Sequence, residues 1–320
     1  MNILLWHVHG SWTTAFVQGK HRYLVPVTPD RGPYGLGRAR TYPWPETVVE
    51  VTPGGLANAD IDLVILQRPE EEDLVHAWTG RTFPTVYVEH NTPKGAVPET
   101  RHPMANRDDV LLVHVTDFNA LMWNAGGTRT AVVDHGICPP AASWTGDLHR
   151  LGMAANEPVR RLRVLGADLL PRFAAVAPVD VYGLGVTGLP GRLGLPPERL
   201  AVYDDPTQAQ MHAQLARRRL YLHLPRWTSL GLSLIEAMAM GMPVVGLATT
   251  EAVVAVPPDA GVLATKVDTL VEAAEWLLHD EAAARRLGAR ARRVARGRYG
   301  LDRFLADWDR IVEEERCASR

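Results

Sequence analysis

Residues 226–246 read RWTSLGLSLIEAMAMGMPVVG, and this stretch decides the fold. It follows a strand-like run, Leu220-Tyr221-Leu222-His223-Leu224. A short turn over residues 226–231 leads into a predicted helix, Leu232–Met240, apolar on nearly every face through Leu234, Ile235, Ala237, Met238 and Ala239. A helix apolar all round is a buried one. Gly241 suits a left-handed C-cap and Pro243 forbids continuation. Val244-Val245-Gly246-Leu247 then reads as a buried strand. A strand end, a turn and a buried helix start bring together unpaired backbone N–H groups and the positive end of a helix dipole, which is the make-up of an anion site. Gly231 lets a ligand approach the backbone. One carboxylate, Glu236, lies inside the helix, and a buried charge needs a partner.

The run Glu236-Ala237-Met238-Ala239-Met240-Gly241-Met242-Pro243-Val244-Val245 resembles the donor-site signature of retaining glycosyltransferases of the two-Rossmann-domain (GT-B) type, in particular glycosyltransferase family 4 (group 1). That family shows a glutamate, seven residues, a second glutamate, then Ala-Met and Gly-x-Pro-Val-Val. The first glutamate position falls here on Thr228. The resemblance implies that Glu236 binds the nucleotide ribose hydroxyls. It also implies that Ser229, Leu230, Gly231 and Leu232, with Thr228 beside them, line the diphosphate and sugar. Glu236 has a second reading. Ser233-Leu234-Ile235-Glu236 has the spacing of a capping box, in which the glutamate only satisfies a helix start. The run of matched positions around it favours the ligand reading.

With 320 residues the chain is long enough for two domains. Apolar content of 46% against 22% charged residues places it among globular rather than disordered chains. A net charge of −2 offers no global attraction to nucleic acid or to an anionic membrane. Cys138 and Cys317 stand far apart without metal-ligand spacing, which argues against a disulfide scaffold and fits a reducing cytoplasm. The first residues are too short and too polar-ended for a signal peptide. No apolar run approaches membrane-spanning length. A paired-aspartate metal motif at a strand end is missing; the one candidate, Asp204-Asp205, precedes Pro206 in a turn.

The N-terminal half starts with a strand from Asn2 that runs into His7-Val8-His9-Gly10-Ser11. A first strand entering a glycine turn is where α/β folds place ligands. The resemblance implies that this loop, with Gly10 and Ser11, faces the acceptor and the donor phosphates; a plain hydroxyl-rimmed loop is the other reading. Residues 29–45 carry several prolines and glycines with Arg31, Arg38 and Arg40, so they form a long loop whose arginines are either solvated or turned to an anionic acceptor. Strands are expected over 23–27, 48–51, 61–66, 85–88, 110–115 and 130–133, and helices over 70–78 and 118–125. His90 follows the 85–88 strand, at the carboxyl end where open α/β sheets bind ligands. The resemblance implies that His90 approaches the reacting sugar; a structural hydrogen-bonder is the alternative, and Glu89, Asn91 and Lys94 stand beside it. Asp134-His135-Gly136 fills the place of the family's Pro-Asn-Gly turn.

In the C-terminal half, residues 139–148 read as a linker and 154–158 as the next strand, running into Arg160 and Arg161. The resemblance implies an arginine at Arg160 on the donor diphosphate. It puts the family's lysine on Leu165, with Arg161 or Arg163 available to supply that charge. Guanidinium forks suit phosphate oxygens. Further helices are expected over 168–175, 208–218, 269–278, 281–298 and 301–315, strands over 179–185 and 201–203, and a loop over 190–197.

Strands alternating with helices make the class α/β with parallel sheets. The resemblance covers the chain in outline and is specific over 221–246. It implies two Rossmann-like domains (GT-B) with an interdomain cleft: 1–140 on the acceptor side, 141–300 for the nucleotide-sugar donor, and 301–320 as a C-terminal helix packing back on the first domain. The implied activity is metal-independent transfer of a sugar from a nucleotide-diphosphate sugar to an unspecified acceptor with retention of configuration. No metal and no cofactor beyond that co-substrate are expected. Thr228 and Leu165 motivate a second class, a non-catalytic nucleotide or carbohydrate binder on the same scaffold. A sugar-nucleotide epimerase is a third.

Overall fold

A computed structural model describes residues 1–318. It divides into two compact units, Met1–Cys138 together with the C-terminal helix, and Pro139–Gly300. Residues 319 and 320 of the expected C-terminal helical segment lie outside the described residues.

In the first unit β1 (Asn2–Leu5), α1 (Gly10–Phe16), β2 (Arg22–Pro26), β3 (Val48–Val51), α2 (Pro53–Leu56), β4 (Leu63–Leu66), α3 (Glu70–Thr79), β5 (Thr85–Glu89), β6 (Val110–His114), α4 (Asp117–Met122) and β7 (Thr130–Val132) follow one another. All pairings are parallel, in the order β3-β2-β1-β4-β5-β6-β7. Strands such as Leu63–Leu66 are apolar throughout because both faces of a parallel sheet are covered. Thr116 caps α4, its hydroxyl accepting from the Asn119 N–H at 3.1 Å.

The second unit contains β8 (Leu148–Ala154), α5 (Leu170–Ala174), β9 (Val179–Gly183), α6 (Leu189–Leu193), β10 (Leu200–Asp204), α7 (Gln208–Leu215), β11 (Arg218–His223), α8 (Leu232–Met240), β12 (Val244–Leu247), α9 (Ala252–Ala255), β13 (Gly261–Ala264), α10 (Val267–His279) and α11 (Glu281–Arg298). Its sheet is again parallel, ordered β10-β9-β8-β11-β12-β13. The core joins Leu151, Met153, Val181, Leu222 and Val245 from the sheet to Leu270, Ala274 and Leu277 of α10. α8 ends where expected, with Gly241 left-handed at φ 92°. It is covered by α11, which comes so close at Gly288 that a Cβ there would lie 2.1 Å from the Gly241 carbonyl oxygen.

The last helix, α12 (Leu301–Ala318), belongs to the first unit. Phe304 and Trp308 stack edge-on around Trp12, and Trp308 also meets Phe16. Arg303 Nη2 donates to the carbonyls of Asp134 and His135 at 3.0 and 2.5 Å. The Asp134-His135-Gly136 turn is thereby fixed from the helix side.

Several local expectations are corrected. The first strand of the second unit is residues 148–154, not 154–158. Its polar positions made it look like linker, but Arg150 is a strand residue paired with buried Asp180, which also takes Arg218 Nε at 2.6 Å. Residues 189–193, expected as loop, form α6, with Pro190 in the first turn where a missing N–H costs nothing. Gly10 and Ser11 open a helix rather than a loop. α7 stops at Leu215, and Arg218 already starts β11. The arginines of the 29–45 loop are structural. Arg31 Nη1 donates to Glu50 at 3.0 Å, and Arg38 binds the carbonyls of Trp44, Pro45 and Val48.

Candidate active site

Each sheet has one switch point, where chain order reverses between neighbouring strands, and ligands of open α/β sheets bind beyond the strand ends there. In the second unit it lies between β8 and β11. The chain leaving β8 returns over residues 157–168 in successive turns, not as a strand, and closes on the end of β11. Gly166 allows this, since at φ +69° any Cβ would sit 1.9 Å from the Leu224 carbonyl oxygen. Arg226 fastens the closure. Its N–H donates to Val164 O at 2.7 Å and its guanidinium to Arg163 O and to both Asp168 oxygens, at 2.6 and 2.9 Å.

The path from Arg226 to α8 is thereby set. Ser229 and Leu230 are buried; Thr228, Gly231 and Leu232 are half-buried. Gly231 is the extended residue before the helix, and no side chain caps it. Among the described residues the N–H groups of Leu232 and Ser233 have no acceptor, while Leu234 N–H turns back to Gly231 O at 2.9 Å. The capping-box reading of Ser233 and Glu236 therefore fails. Ser233 lies inside the helix, where its Oγ accepts from Tyr221 OH at 2.9 Å.

Glu236 is buried, its side chain 4% exposed. Gln208 Nε2 donates to Oε1 at 2.8 Å, and His212 Nε2 donates to Oε2 at 3.0 Å. The partner a buried carboxylate requires is thus α7, which a Thr207–Gln210 capping box starts just at Gln208. Lone pairs remain on both oxygens for a further donor.

Of the arginines, Arg160 is largely exposed and bound to Glu157, with Nε at 2.8 Å. Arg163 faces Asp168 at 3.5 Å. Arg161 is half-buried and, among the described residues, has no ion-pair partner. Leu165, in the family's lysine position, is core. Asp204 is spent on its own turn, accepting from the Gly185 and Val186 N–H groups at 2.7 and 3.3 Å. Among the described residues no group of three or more His, Cys, Asp or Glu is placed to hold a metal ion.

In the first unit the switch point lies between β1 and β4. His9 precedes α1 and packs against His90 with ring centroids 4.1 Å apart and the planes tilted by 37°. His90 stacks in turn on His135 at 6.4 Å and meets Trp12 edge-on at 4.9 Å. Burial is the main cause that keeps all three imidazoles neutral. It lowers His9 to about 4 and His135 to about 3, each with a smaller push from a neighbouring arginine or histidine, and puts His90 well below the ordinary histidine value. Among the described residues His90 Nε2 and His135 Nδ1 are buried without a hydrogen-bond partner. Gly10 lies under the Tyr42 ring, 2.8 Å from where a Cβ would be, and Ser11 follows in the same helical turn. Of the residues beside His90, the Glu89 carboxylate is structural, while Asn91 and Lys94 are exposed. Glu89 accepts from Asn91 N–H at 2.6 Å and from His102 Nε2 at 3.0 Å, while His102 Nδ1 accepts from Met104 N–H. His9 and His135 were not among the expected site residues. Their positions after β1 and β7 were the available signal.

Residues 201–294, from β10 into α11, match the family model "Glycosyl transferases group 1". No curated protein sequence matches significantly. Among solved structures, sucrose-phosphate synthase from Thermosynechococcus elongatus superposes with a TM-score of 0.75 at 13% identity, covering 99% of this chain and 100% of that one. Anabaena HepE in complex with UDP-glucose gives 0.72 at 16% identity, covering 98% and 100%. A glycosyltransferase from Rickettsia africae gives 0.68 at 12%, covering 98% of each chain. The chain thus has the GT-B fold of these structures, and its residues 201–294 are similar to the glycosyl transferases group 1 family.

Proposed function

We propose that the protein is a retaining, family 4 glycosyltransferase that moves a sugar from a nucleotide-diphosphate sugar to an acceptor, without a metal. The carrying observation is the uncapped start of α8 at the switch point of the second sheet, with Leu232 and Ser233 N–H groups free and Glu236 one turn further in. Free helix-start amides bind phosphate without further charge. The Pro139–Gly300 unit is then the donor domain, and the first unit is the acceptor side.

In this reading Glu236 receives the ribose hydroxyls on the lone pairs that Gln208 and His212 leave open. The amides of Leu232 and Ser233 and the Arg161 guanidinium meet the charge that builds on the departing diphosphate. Stabilising that charge is the dominant kind of catalytic contribution. Thr228 leaves no carboxylate at the sugar, so contact there falls to backbone and to the hydroxyl. The acceptor attacks from the face the leaving group vacates, which retains configuration. His90 contributes as a neutral hydrogen-bonding group toward the reacting sugar.

HepE, crystallised with UDP-glucose, makes a uridine donor the first to try. The test is a thermal-shift series with UDP-, GDP-, ADP- and dTDP-sugars. A specific ligand at a hundred times its Kd stabilises by about 2.7 kcal/mol. A binding donor then goes into a transfer assay with the product anomer read by NMR. An inverted anomer overturns retention. Donor binding with neither transfer nor hydrolysis overturns the transferase in favour of a binding protein.

A further inference from the structure

His223 ends β11 at the switch point and is 3% exposed. Among the described residues its ring nitrogens have no hydrogen-bond partner. The ring lies directly behind the start of α8. A Cβ on Gly231 would be 3.3 Å from His223 Cε1, 3.9 Å from Nδ1 and 3.7 Å from Ser233 Oγ. Gly231 has φ −69°, which any residue can adopt, so the backbone does not require glycine. What its absent side chain leaves is a small space floored by the imidazole edge and opening beside the free amides of Leu232 and Ser233. Its ring nitrogens are not wholly enclosed, and a group seated in that space can complete their hydrogen bonding.

We propose that His223 is a contact residue of this anion site, donating a hydrogen bond to the phosphate seated on the α8 amides and taking up a proton as that phosphate binds. The inference rests on reading the α8 start as a diphosphate site. Burial alone holds the imidazole at about 4. No charged group offsets this from the elements around it. On β11, Tyr221 lies 6.5 Å away with its hydroxyl given to Ser233. On α8, Glu236 is held by Gln208 and His212. From β12, Gly246 packs on the His223 backbone, and beyond it Glu251 is paired with Arg298. Arg160 and Arg161 follow β8 and carry the sign that disfavours an imidazolium. A bound diphosphate supplies the missing negative charge and raises the histidine. The sign follows by linkage. Between the low free value and the raised bound value, the complex holds one more proton than the free protein, so affinity increases as pH falls.

The experiment is calorimetric titration of the full chain with UDP-, GDP-, ADP- and dTDP-glucose. Their doubly esterified diphosphates do not themselves titrate near neutrality. Titrations run from pH 8 to 6, in two buffers of different ionisation enthalpy. For the sugar nucleotide that binds, wild type is expected to gain about tenfold in affinity over this range with uptake approaching about one proton. His223→Asn, which keeps a donor but cannot titrate, should bind with less than about a twofold change and no uptake. His223→Gln serves if the Asn variant fails a urea-melt check of folding. Wild-type binding with no proton uptake, or a pH dependence that survives in the variant, overturns the role of His223 and leaves the donor site standing. Binding of none of the four by wild type overturns the donor-site reading and this inference with it.

Discussion

Replacing Glu236 by Gln separates ligand binding from architecture, because the structure shows what the carboxylate does inside the protein. Both oxygens already accept hydrogen bonds, from Gln208 at 2.8 Å and His212 at 3.0 Å. A glutamine presents one oxygen and one NH2, so one of these donors would face a donor. Gln208 repairs this by turning its own amide, which exchanges its NH2 for its oxygen. The fold should therefore lose only the charge assistance of one or two bonds, on the order of 1 kcal/mol. Nucleotide binding should lose more. A charge-assisted hydrogen bond to ribose contributes about 1.5–3 kcal/mol, so affinity falls by about ten- to a hundredfold. Glu236→Ala leaves the buried His212 Nε2 without its acceptor, about 1–3 kcal/mol, and is the wrong variant for a binding assay. Nucleotide titration and urea melts on the Gln variant decide the matter together. Unchanged affinity in a folded Glu236→Gln protein would refute the ribose assignment and leave Glu236 as the anchor of α7 alone.

Arg161→Ala should weaken nucleotide-sugar binding by about tenfold, as expected for losing a guanidinium–phosphate contact, whereas Arg160→Ala, already bound to Glu157 at the surface, should change it by less than about threefold; equal effects in the titration would sink this distinction. Donor affinity should be the same with and without EDTA, and restoration by added divalent ions would count against a metal-free site. Gly288→Ala places a Cβ 2.1 Å from the Gly241 carbonyl oxygen, so a urea melt should show a loss of about 1–3 kcal/mol for this overpacking. Acid should destabilise the first unit through His9, His114 and His135. Their folded values of about 4, 4 and 3 lie below the unfolded 6.5, so stability is full above pH 6.5 and falls as pH drops toward the folded values. The loss is up to about 2 kcal/mol per histidine by pH 5. A stability flat from pH 7 to 5 would show that these imidazoles are not held neutral.

The α8 region was legible because each local signal agreed with the next. An all-apolar helix, a glycine at its C-cap and a proline after it fix both ends, and the structure has Leu232–Met240 and Val244–Leu247 at the expected bounds. The β8 strand was not legible, since its polar residues read as linker. Arg150 looks solvated until Asp180, thirty positions later, is seen buried against it. Likewise the capping box had the right spacing for Ser233 and Glu236, but spacing carries no information on where a helix begins. One residue of Gly231 geometry moves Ser233 inside and hands Glu236 to α7. The His9–His90–His135 stack joins three strand ends far apart in the chain, and only the sheet order brings them together. Pairings that depend on topology stay hidden where local pattern is all there is to read.

The two switch points differ in charge, and this bears on which unit takes the phosphate. At the first sheet the histidines are neutral, and Arg68 is held by Glu71, the Pro33 carbonyl and the face of Tyr34, with its Nη2 unpartnered among the described residues. A neutral imidazole brings no charge to an anion unless, as inferred for His223, it takes up a proton. Its nitrogens suit hydroxyl groups, and His90 Nε2 is buried with no partner among the described residues. At the second sheet stand the α8-start amides, the neutral His223 and the Arg161 guanidinium; α1 starts uncapped as well, so the guanidinium is what sets this switch point apart. A nucleotide-diphosphate sugar has both kinds of demand, a charged linkage and a polyhydroxylated ring. On the transferase reading its diphosphate belongs to the second unit, and the first unit meets uncharged hydroxyl groups. Protonating His90 would reverse that sorting, and burial against Trp12 and two further imidazoles is what prevents it at neutral pH.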